Sequence, residues 1–578
     1  MFLAVTLAAI GVGYVVRRSY LGVPGVHDDH FFEWLVGERW LGRLTWSESM
    51  TASHSGQLVP LGLEIYGRLI AWFGIESSAF SIFALLAHAF SAGMLVVLLR
   101  RPLGVLGAAV AGLLWAGVAI GRWDNTLLWR ANVVLVWVPF TWLFSLWCLD
   151  VFHRSAHRRW LSLAVIAACL LVAQWNASVL FLPSLVLAYV TRSRGNSNKG
   201  IYAREMIAWI GLCLLGIVAA WIGLRWAKQG VPTAMASPGE WLAMGWVVPS
   251  FFAVGLADAT FWSATQWATK DLVEKSLVLT GFLMLMLLTP RRAWATLSVM
   301  VGTGLLYATA VVVLRADLGA DVILTSGRYF SIPLLVLCVA SGGIVAGIDE
   351  RLQSPRARRF FIAGGLIALL GYFVHQHSVA QEARRQFDSL WADSLKISRS
   401  HRELVHALAR RADPDEPLLV PDLPLNIPPV ARPFPLSTLA VILGQETSAR
   451  LRVKPIVELT PTELRQVSRR LGEIDSPLAR EWQALIRATK EDSRAITWMV
   501  KWSASTGSRL PTDLVKRDGP REYPMSAWAE VLLGKQADSL DWNGSTEERM
   551  TLLSRLKNES GPEARFWVDL LTQAPTTH

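Results

Sequence analysis

Cysteine is scarce. There are four in 578 residues, Cys148, Cys169, Cys213 and Cys338, all inside apolar runs and none beyond position 338. No two stand at metal-ligand spacing, which argues against a disulfide framework and against a zinc-thiolate site. Charge is also short, at 17% of residues, where a soluble domain carries about 25%. It is uneven as well. Residues 380–578 hold 28 basic and 27 acidic side chains and the first 379 hold 28 and 18, so the net +11 belongs almost wholly to the apolar part. Loop bias in a membrane protein explains that excess better than a nucleic-acid footprint, and no nucleic-acid partner is expected. No Gly-rich phosphate cradle follows a strand, no internal repeat is visible, and the C-terminal region carries no catalytic signature. The first apolar run has no basic residues ahead of it and no small-x-small cleavage signal, so it reads as a retained helix and not a signal peptide.

What the chain has is apolar length. Runs that span or nearly span a bilayer fall at 1–16, 78–99, 103–120, 133–152, 206–224, 276–289, 294–314, 329–348 and 360–378. A further stretch, 161–190, is interrupted by Gln174-Trp175-Asn176. As one helix it would overshoot a ~30 Å hydrocarbon core, so two short helices joined by a tight turn are expected. The fold class is then a polytopic α-helical membrane protein of about eleven transmembrane helices over 1–378. A soluble extracytoplasmic domain of α or α/β type follows over 379–578.

Basic residues orient it. Arg100-Arg101, then Arg154, Arg158 and Arg159, then Arg192, Arg194, Lys199 and Arg204, then Arg291-Arg292, then Arg351, Arg356, Arg358 and Arg359 mark alternate loops as cytoplasmic. Asp28, Asp29, Asp124, Asp258, Asp317 and Asp321 collect on the other side. The N-terminus is expected inside and the C-terminal domain outside a plasma membrane, and the cysteine pattern with short basic loops suggests a bacterial one. One pair resists: Arg17-Arg18 sit at the outer end of the first helix, where the rule disfavours them.

The first outer loop, 17–77, is patterned. Phe31, Phe32, Trp34, Leu35, Trp40, Leu41 and Leu44 alternate with Glu33, Glu38, Arg39 and Arg43. Leu58, Leu61, Ile65, Leu69 and Trp72 recur at helical spacing, with Glu64 and Arg68 opposite. Two amphipathic helices lying in the interface plane are expected. The C-terminal region begins with a charged amphipathic helix over about 380–411. A Pro-rich stretch with the strand-like Leu418-Leu419-Val420 follows, and then helical patterns at 461–472, 478–490 and 546–557.

His27-Asp28-Asp29-His30, at the outer mouth of the membrane part, is the strongest chemical lead. Two adjacent carboxylates repel, and one of them taking a proton relieves that, as a general base does. The plainer reading is a helix N-cap for the helix near Phe31. His27 and His30 are candidate metal ligands or proton shuttles, though no further ligand stands at a recognised spacing, and His54 shares the loop. Arg328, in Ser326-Gly327-Arg328-Tyr329-Phe330, can hold a phosphate bidentately or simply snorkel to the interface. Arg122 and Arg130, flanking Trp123-Asp124-Asn125, make a weaker case of the same kind.

In this layout the chain resembles the GT-C glycosyltransferases, multi-pass enzymes that take sugars from polyprenyl-phosphate carriers. In that superfamily an acidic pair follows the first membrane helix in a long outer loop, interfacial helices come next, and an Arg-Tyr pair often begins a late span. Asp28-Asp29 and Arg328-Tyr329 are the matching residues, over about 1–378. The Trp-Trp-Asp signature of oligosaccharyltransferases is missing. The resemblance implies an inverting transfer from a polyprenyl-phosphate-linked sugar to a glycan, lipid or protein hydroxyl on the outer face of the lipid bilayer. Asp28 or Asp29 would be the base. Arg328, Tyr329, His54, Arg122 and Arg130 would bind substrate. No cofactor is required by the residues, though a divalent metal stays open. The alternatives are a polyprenyl-linked polysaccharide ligase or polymerase, a transporter or flippase, and a non-catalytic envelope scaffold. Proton-coupled carriers usually bury ionisable groups mid-membrane, and the runs above are nearly free of them.

Overall fold

The computed structural model describes residues 2–23, 28–42, 44–51, 60–75, 78–119, 130–132, 135–155, 157–174, 176–193, 243–260, 269–315, 319–410, 418–422, 424–425, 434–435, 451–455 and 460–477, with isolated positions elsewhere. They fall into two compact units, one of residues 1–23, 50–66 and 78–390, the other of 24–49, 67–77 and 391–578. In chain order the helices are α1 (Phe2–Arg17), α2 (Asp28–Trp40), α3 (Trp46–Thr51), α4 (Pro60–Phe73), α5 (Ala79–Leu99), α6 (Gly104–Gly117), α7 (Val138–Ser155), α8 (Arg158–Gln174), α9 (Leu182–Ser193) and α10 (Val247–Thr260). They continue with α11 (Thr269–Met286), α12 (Trp294–Arg315), α13 (Gly319–Thr325), α14 (Ser331–Arg351), α15 (Pro355–Leu390), α16 (Ala392–Arg410) and α17 (Pro461–Gly472).

The first unit is a membrane helix bundle. Six of its helical stretches are long and apolar enough to cross a bilayer: Phe2–Tyr20, Ala79–Leu99, Leu135–Ser155, Arg291–Val313, Gly327–Arg351 and Pro355–Leu390. Gly104–Gly117, Val247–Leu256 and Lys275–Met286 are shorter apolar helices. The interrupted stretch is two helices: α8 stops at Gln174, a 3-10 turn runs Asn176–Phe181, and α9 follows. Gln174 stops being a helix-surface residue because its Nε2 donates to Thr141 Oγ1 at 2.9 Å inside the bundle. The run at 206–224 lies outside the described residues except for isolated positions.

Helix association in lipid lacks a hydrophobic drive and relies on close backbone approach. The α6–α14 contact shows this. A Cβ added at Gly107 would lie 2.6 Å from the Gly342 carbonyl oxygen, and one added at Gly342 would meet the Gly107 carbonyl in turn. Gly342→Leu is therefore expected to cost roughly 1–3 kcal/mol or more by overpacking. Gly364→Leu on α15, where nothing lies within 4 Å, is the control. Equal melting temperatures for the two variants in detergent would show that the α6–α14 approach is not what holds this pair together.

Polar contacts group the helix ends. At one end Arg292 of the α11–α12 connection reaches the Pro102 carbonyl at 3.2 Å and pairs with Glu350. Arg351 donates to the Leu288 carbonyl at 2.6 Å, and Arg358 pairs with Asp349 at 2.7 Å. Three of the basic loops thus share one end of the bundle. At the other end lies Arg17, one of the two residues that resisted the charge rule. It is 3% exposed, and its Nη1 and Nη2 donate to the carbonyls of Val118 and Ala116 at 2.5 and 2.8 Å. It closes the C-terminus of α6, where a cation meets the negative end of the helix dipole. Arg18 beside it is exposed.

The second unit contains α2, the first-loop segment after Gly67, α16, α17 and four short strands. Strand β1 (Leu418–Asp422) pairs in parallel with β4 (Leu451–Pro455), and β2 (Pro424–Leu425) pairs antiparallel with β3 (Phe434–Pro435). The strand-like 418–420 is therefore a strand. The pattern at 461–472 is α17, begun by a capping box in which Thr460 and Glu463 each satisfy the other's backbone. Most of 478–490 and 546–557 lies outside the described residues.

Two expectations need correction. The helix that was expected to begin near 380 does not start there: α15 runs unbroken from Pro355 to Leu390, and α16 begins at Ala392. Nothing in 378–390 breaks a helix, so the apolar span continues into its charged extension. Nor are the acidic side chains of α2 open to solvent, as its alternating pattern leads one to expect. Glu33 and Glu38 are 6% and 8% exposed, as enclosed as Leu35 and Val36. Helices α2 and α4 do fall where the two loop patterns were read.

Candidate functional site

Helix α2 carries the acidic pair. Asp28 and Asp29 occupy its first turn, where unpaired backbone amides favour carboxylates. The pair is inside the helix and not at the capping position before it. Asp29 is fully buried. A fully enclosed carboxylate is costly and seldom kept without a purpose. Glu33 follows it by four residues and so shares its face of α2. Within the same unit, Arg402 of α16 reaches Glu33 at 3.3 Å, both side chains buried. His30 lies on α2, but neither its side chain nor that of Asp28 is among the described ones, and His27, His54 and Arg122 lie outside the described residues altogether.

The first unit holds the other candidates. After α13, Ser326 is extended and a 3-10 turn, Gly327–Phe330, leads straight into α14. Phe330, 2% exposed, anchors the turn against Phe251 with ring centroids 5.2 Å apart. That places Arg328 at the mouth of the span, half-buried, its guanidinium carbon 5.1 Å from the centre of the Tyr329 ring. A cation placed over an aromatic ring in this way is attracted by the ring quadrupole. Tyr329 is buried, and its hydroxyl makes no hydrogen bond among the described residues.

Arg130 opens a 3-10 turn, Arg130–Asn132. It is 3% exposed, its Nε donates to the Val23 carbonyl at 2.7 Å, and its guanidinium lies 5.1 Å from the Phe80 ring centre. Those contacts tie the segment after the first helix to the Arg130–Asn132 turn and to the start of α5. The acidic pair therefore belongs to one unit, and Arg130, Arg328 and Tyr329 to the other.

No group of three or more His, Cys, Asp or Glu side chains suited to a metal ion occurs among the described residues. Glu33, the carboxylate that shares a face with Asp29, is bound to Arg402. Glu33 and Arg402 are the site residues that sequence reading missed. The four-residue spacing from Asp29 was the available signal for Glu33. Nothing local marks Arg402.

No protein-family model and no curated protein matches the sequence. Solved structures do align with it. The apo oligosaccharyltransferase of Archaeoglobus fulgidus aligns over 72% of this chain at 13% identity with a TM-score of 0.42, and this chain spans 58% of that protein's length. ArnT of Cupriavidus metallidurans, bound to undecaprenyl phosphate, aligns over 78% of this chain and 85% of its own at 13% identity and TM-score 0.41. The A. fulgidus oligosaccharyltransferase AglB, with an inhibitory peptide and a dolichol-phosphate, aligns over 99% of this chain and 68% of its own at 14% identity and TM-score 0.32. These enzymes belong to the GT-C superfamily that the sequence resembles. With every TM-score below 0.5, what this chain does has to be read from its own residues.

Proposed function

We propose that the protein is an inverting glycosyltransferase that moves a sugar from a polyprenyl-phosphate carrier to an acceptor hydroxyl at the outer face of a membrane. The observation that carries this reading is Asp29, a carboxylate with no exposed surface, one helical position into the acidic motif that follows the first membrane helix. In the reaction, the acceptor oxygen attacks the anomeric carbon as Asp29 takes its proton. The bond from that carbon to the lipid phosphate breaks, and the face opposite the leaving group receives the new bond, so configuration inverts. Positive charge develops on the sugar ring, and a carboxylate stabilises it. The lipid phosphate departs with the bonding electrons. Arg328 is assigned to neutralise it, since a planar guanidinium binds phosphate oxygens in pairs. The plain export reading has less support: Arg17, the enclosed cation at the end of α1, is engaged with backbone carbonyls.

The experiment is transfer by the full chain in lipid vesicles, with tritiated undecaprenyl-phosphate hexoses as donors and a crude envelope fraction as acceptor, alongside direct binding of undecaprenyl phosphate. Arg328→Met should weaken that binding about tenfold or more, the worth of a hydrogen bond to a charged group, and Arg328→Lys should weaken it less. Unchanged binding in Arg328→Met would remove the arginine from the carrier site.

A further inference from the structure

Glu33 and Arg402 stand 369 positions apart in sequence, yet they meet at 3.3 Å with 7% and 6% of their side chains exposed. Both belong to the second unit. The pair joins α2, which bears the acidic motif, to α16, the first helix of the C-terminal region. Leu404, Val405 and Leu408 of the same helix α16 are buried, at 2%, 2% and 5% exposure, so the arginine rises from an anchored backbone. On α2, Glu33 follows Asp29 by one turn, and neighbours four apart point the same way. A rotation of α2 that swung Asp29 aside would also pull Glu33 off Arg402.

A buried ion pair is weak grounds for stability. Apolar side chains of similar volume often serve as well, because both charges must be stripped of water. The best-attested use of such a pair is to fix register. The register fixed by this one is the rotation of the helix that carries Asp29.

We propose that Arg402 is a positioning residue of the transferase: through Glu33 it sets the rotation of α2 and so the direction in which Asp29 presents its carboxylate. The proposal rests on the reading of Asp29 as the base. It gives the C-terminal region a part in the chemistry, since α16 holds the helix that the base stands on. The region is therefore not a detachable appendage.

The test uses the full chain in vesicles with tritiated undecaprenyl-phosphate hexoses and a crude envelope acceptor. The variants are Asp29→Asn, Arg402→Met, Arg402→Lys and the exchange Glu33→Arg with Arg402→Glu. Leu471→Ala, at a core position of α17 in the same unit, serves as a stability control. Arg402→Met is expected to lower kcat roughly ten- to hundredfold, the cost of a displaced catalytic group, with donor KM changed by less than about threefold. Arg402→Lys and the exchange should each recover part of the loss, and Leu471→Ala should keep kcat near wild type while melting earlier. A kcat for Arg402→Met within about threefold of wild type, beside an inactive Asp29→Asn, would overturn the positioning role and leave the base in place. An equal loss in Leu471→Ala would overturn it too, by showing a general response to destabilisation. Wild-type turnover in Asp29→Asn would instead remove the base, and this proposal with it.

Discussion

Asp29→Asn is expected to abolish sugar transfer, lowering kcat by about 10²–10⁴-fold, the usual contribution of a general base. That is about 3–5 kcal/mol of transition-state stabilisation. The amide keeps the shape of the carboxylate and can still donate and accept hydrogen bonds, but it cannot take the proton from an attacking hydroxyl. Asparagine keeps the size and shape of the enclosed Asp29 side chain, and thermal unfolding of the variant beside wild type separates lost chemistry from lost folding. Donor KM should hold, since the proton is moved only in the transition state. Asp28→Asn, one position earlier in the same turn, is the comparison. Full activity in Asp29→Asn together with loss in Asp28→Asn would move the base by one residue. Full activity in both would reduce the motif to first-turn carboxylates complementing a helix dipole.

Arg17→Leu is expected to destabilise the membrane bundle by roughly 2–4 kcal/mol, two charge-assisted hydrogen bonds at about 1.5–3 kcal/mol each less the relief of an enclosed charge. The reason is the length of α6. Its 14 residues cover about 21 Å at 1.5 Å per residue, short of the ~30 Å hydrocarbon core. Val118 and Ala119, which follow Gly117, are non-helical backbone, which is tolerated at membrane depth only where protein satisfies it. The first unit does so from several sides. Arg17 serves the carbonyls of Ala116 and Val118, and Tyr20 donates to the Ala119 carbonyl at 2.8 Å. Gln376 Oε1 accepts from the Ala119 amide at 2.8 Å, and Tyr372 donates to the Leu114 carbonyl at 3.1 Å. Among these only the guanidinium spans two carbonyls at once, so Arg17→Lys should recover less than half of the loss. Arg18→Leu, at the exposed neighbour, should be near neutral. Thermal unfolding in detergent measures all three, and equal stability of the two leucine variants would sink the account.

Much of this molecule was legible in its sequence because its elements are set by local pattern. A run of twenty apolar residues must satisfy its own amides and so becomes a helix, which is why 78–99 and 294–314 reappear as α5 and α12 almost residue for residue. The polar interruption at Gln174-Trp175-Asn176 divided 161–190 for the same reason. Thr460 and Glu463 marked the start of α17. The first-loop helices were visible as periodicity, but their setting was not. Amphipathic spacing gives Glu33 and Glu38 to a polar face, and the fold encloses both; for Glu33 a partner far along the chain, Arg402, is brought to it.

The sequence by itself thus marked a helical membrane protein, located apolar helices such as α5 and α12, and placed the acidic motif after the first helix. Tertiary structure alone decided three things. Arg17 is a clamp on the end of α6, Asp29 is enclosed, and Glu33 is held by Arg402. The first and the last depend on groups about a hundred to nearly four hundred positions apart, and no local pattern carries the side-chain register that chain folding imposes between distant helices.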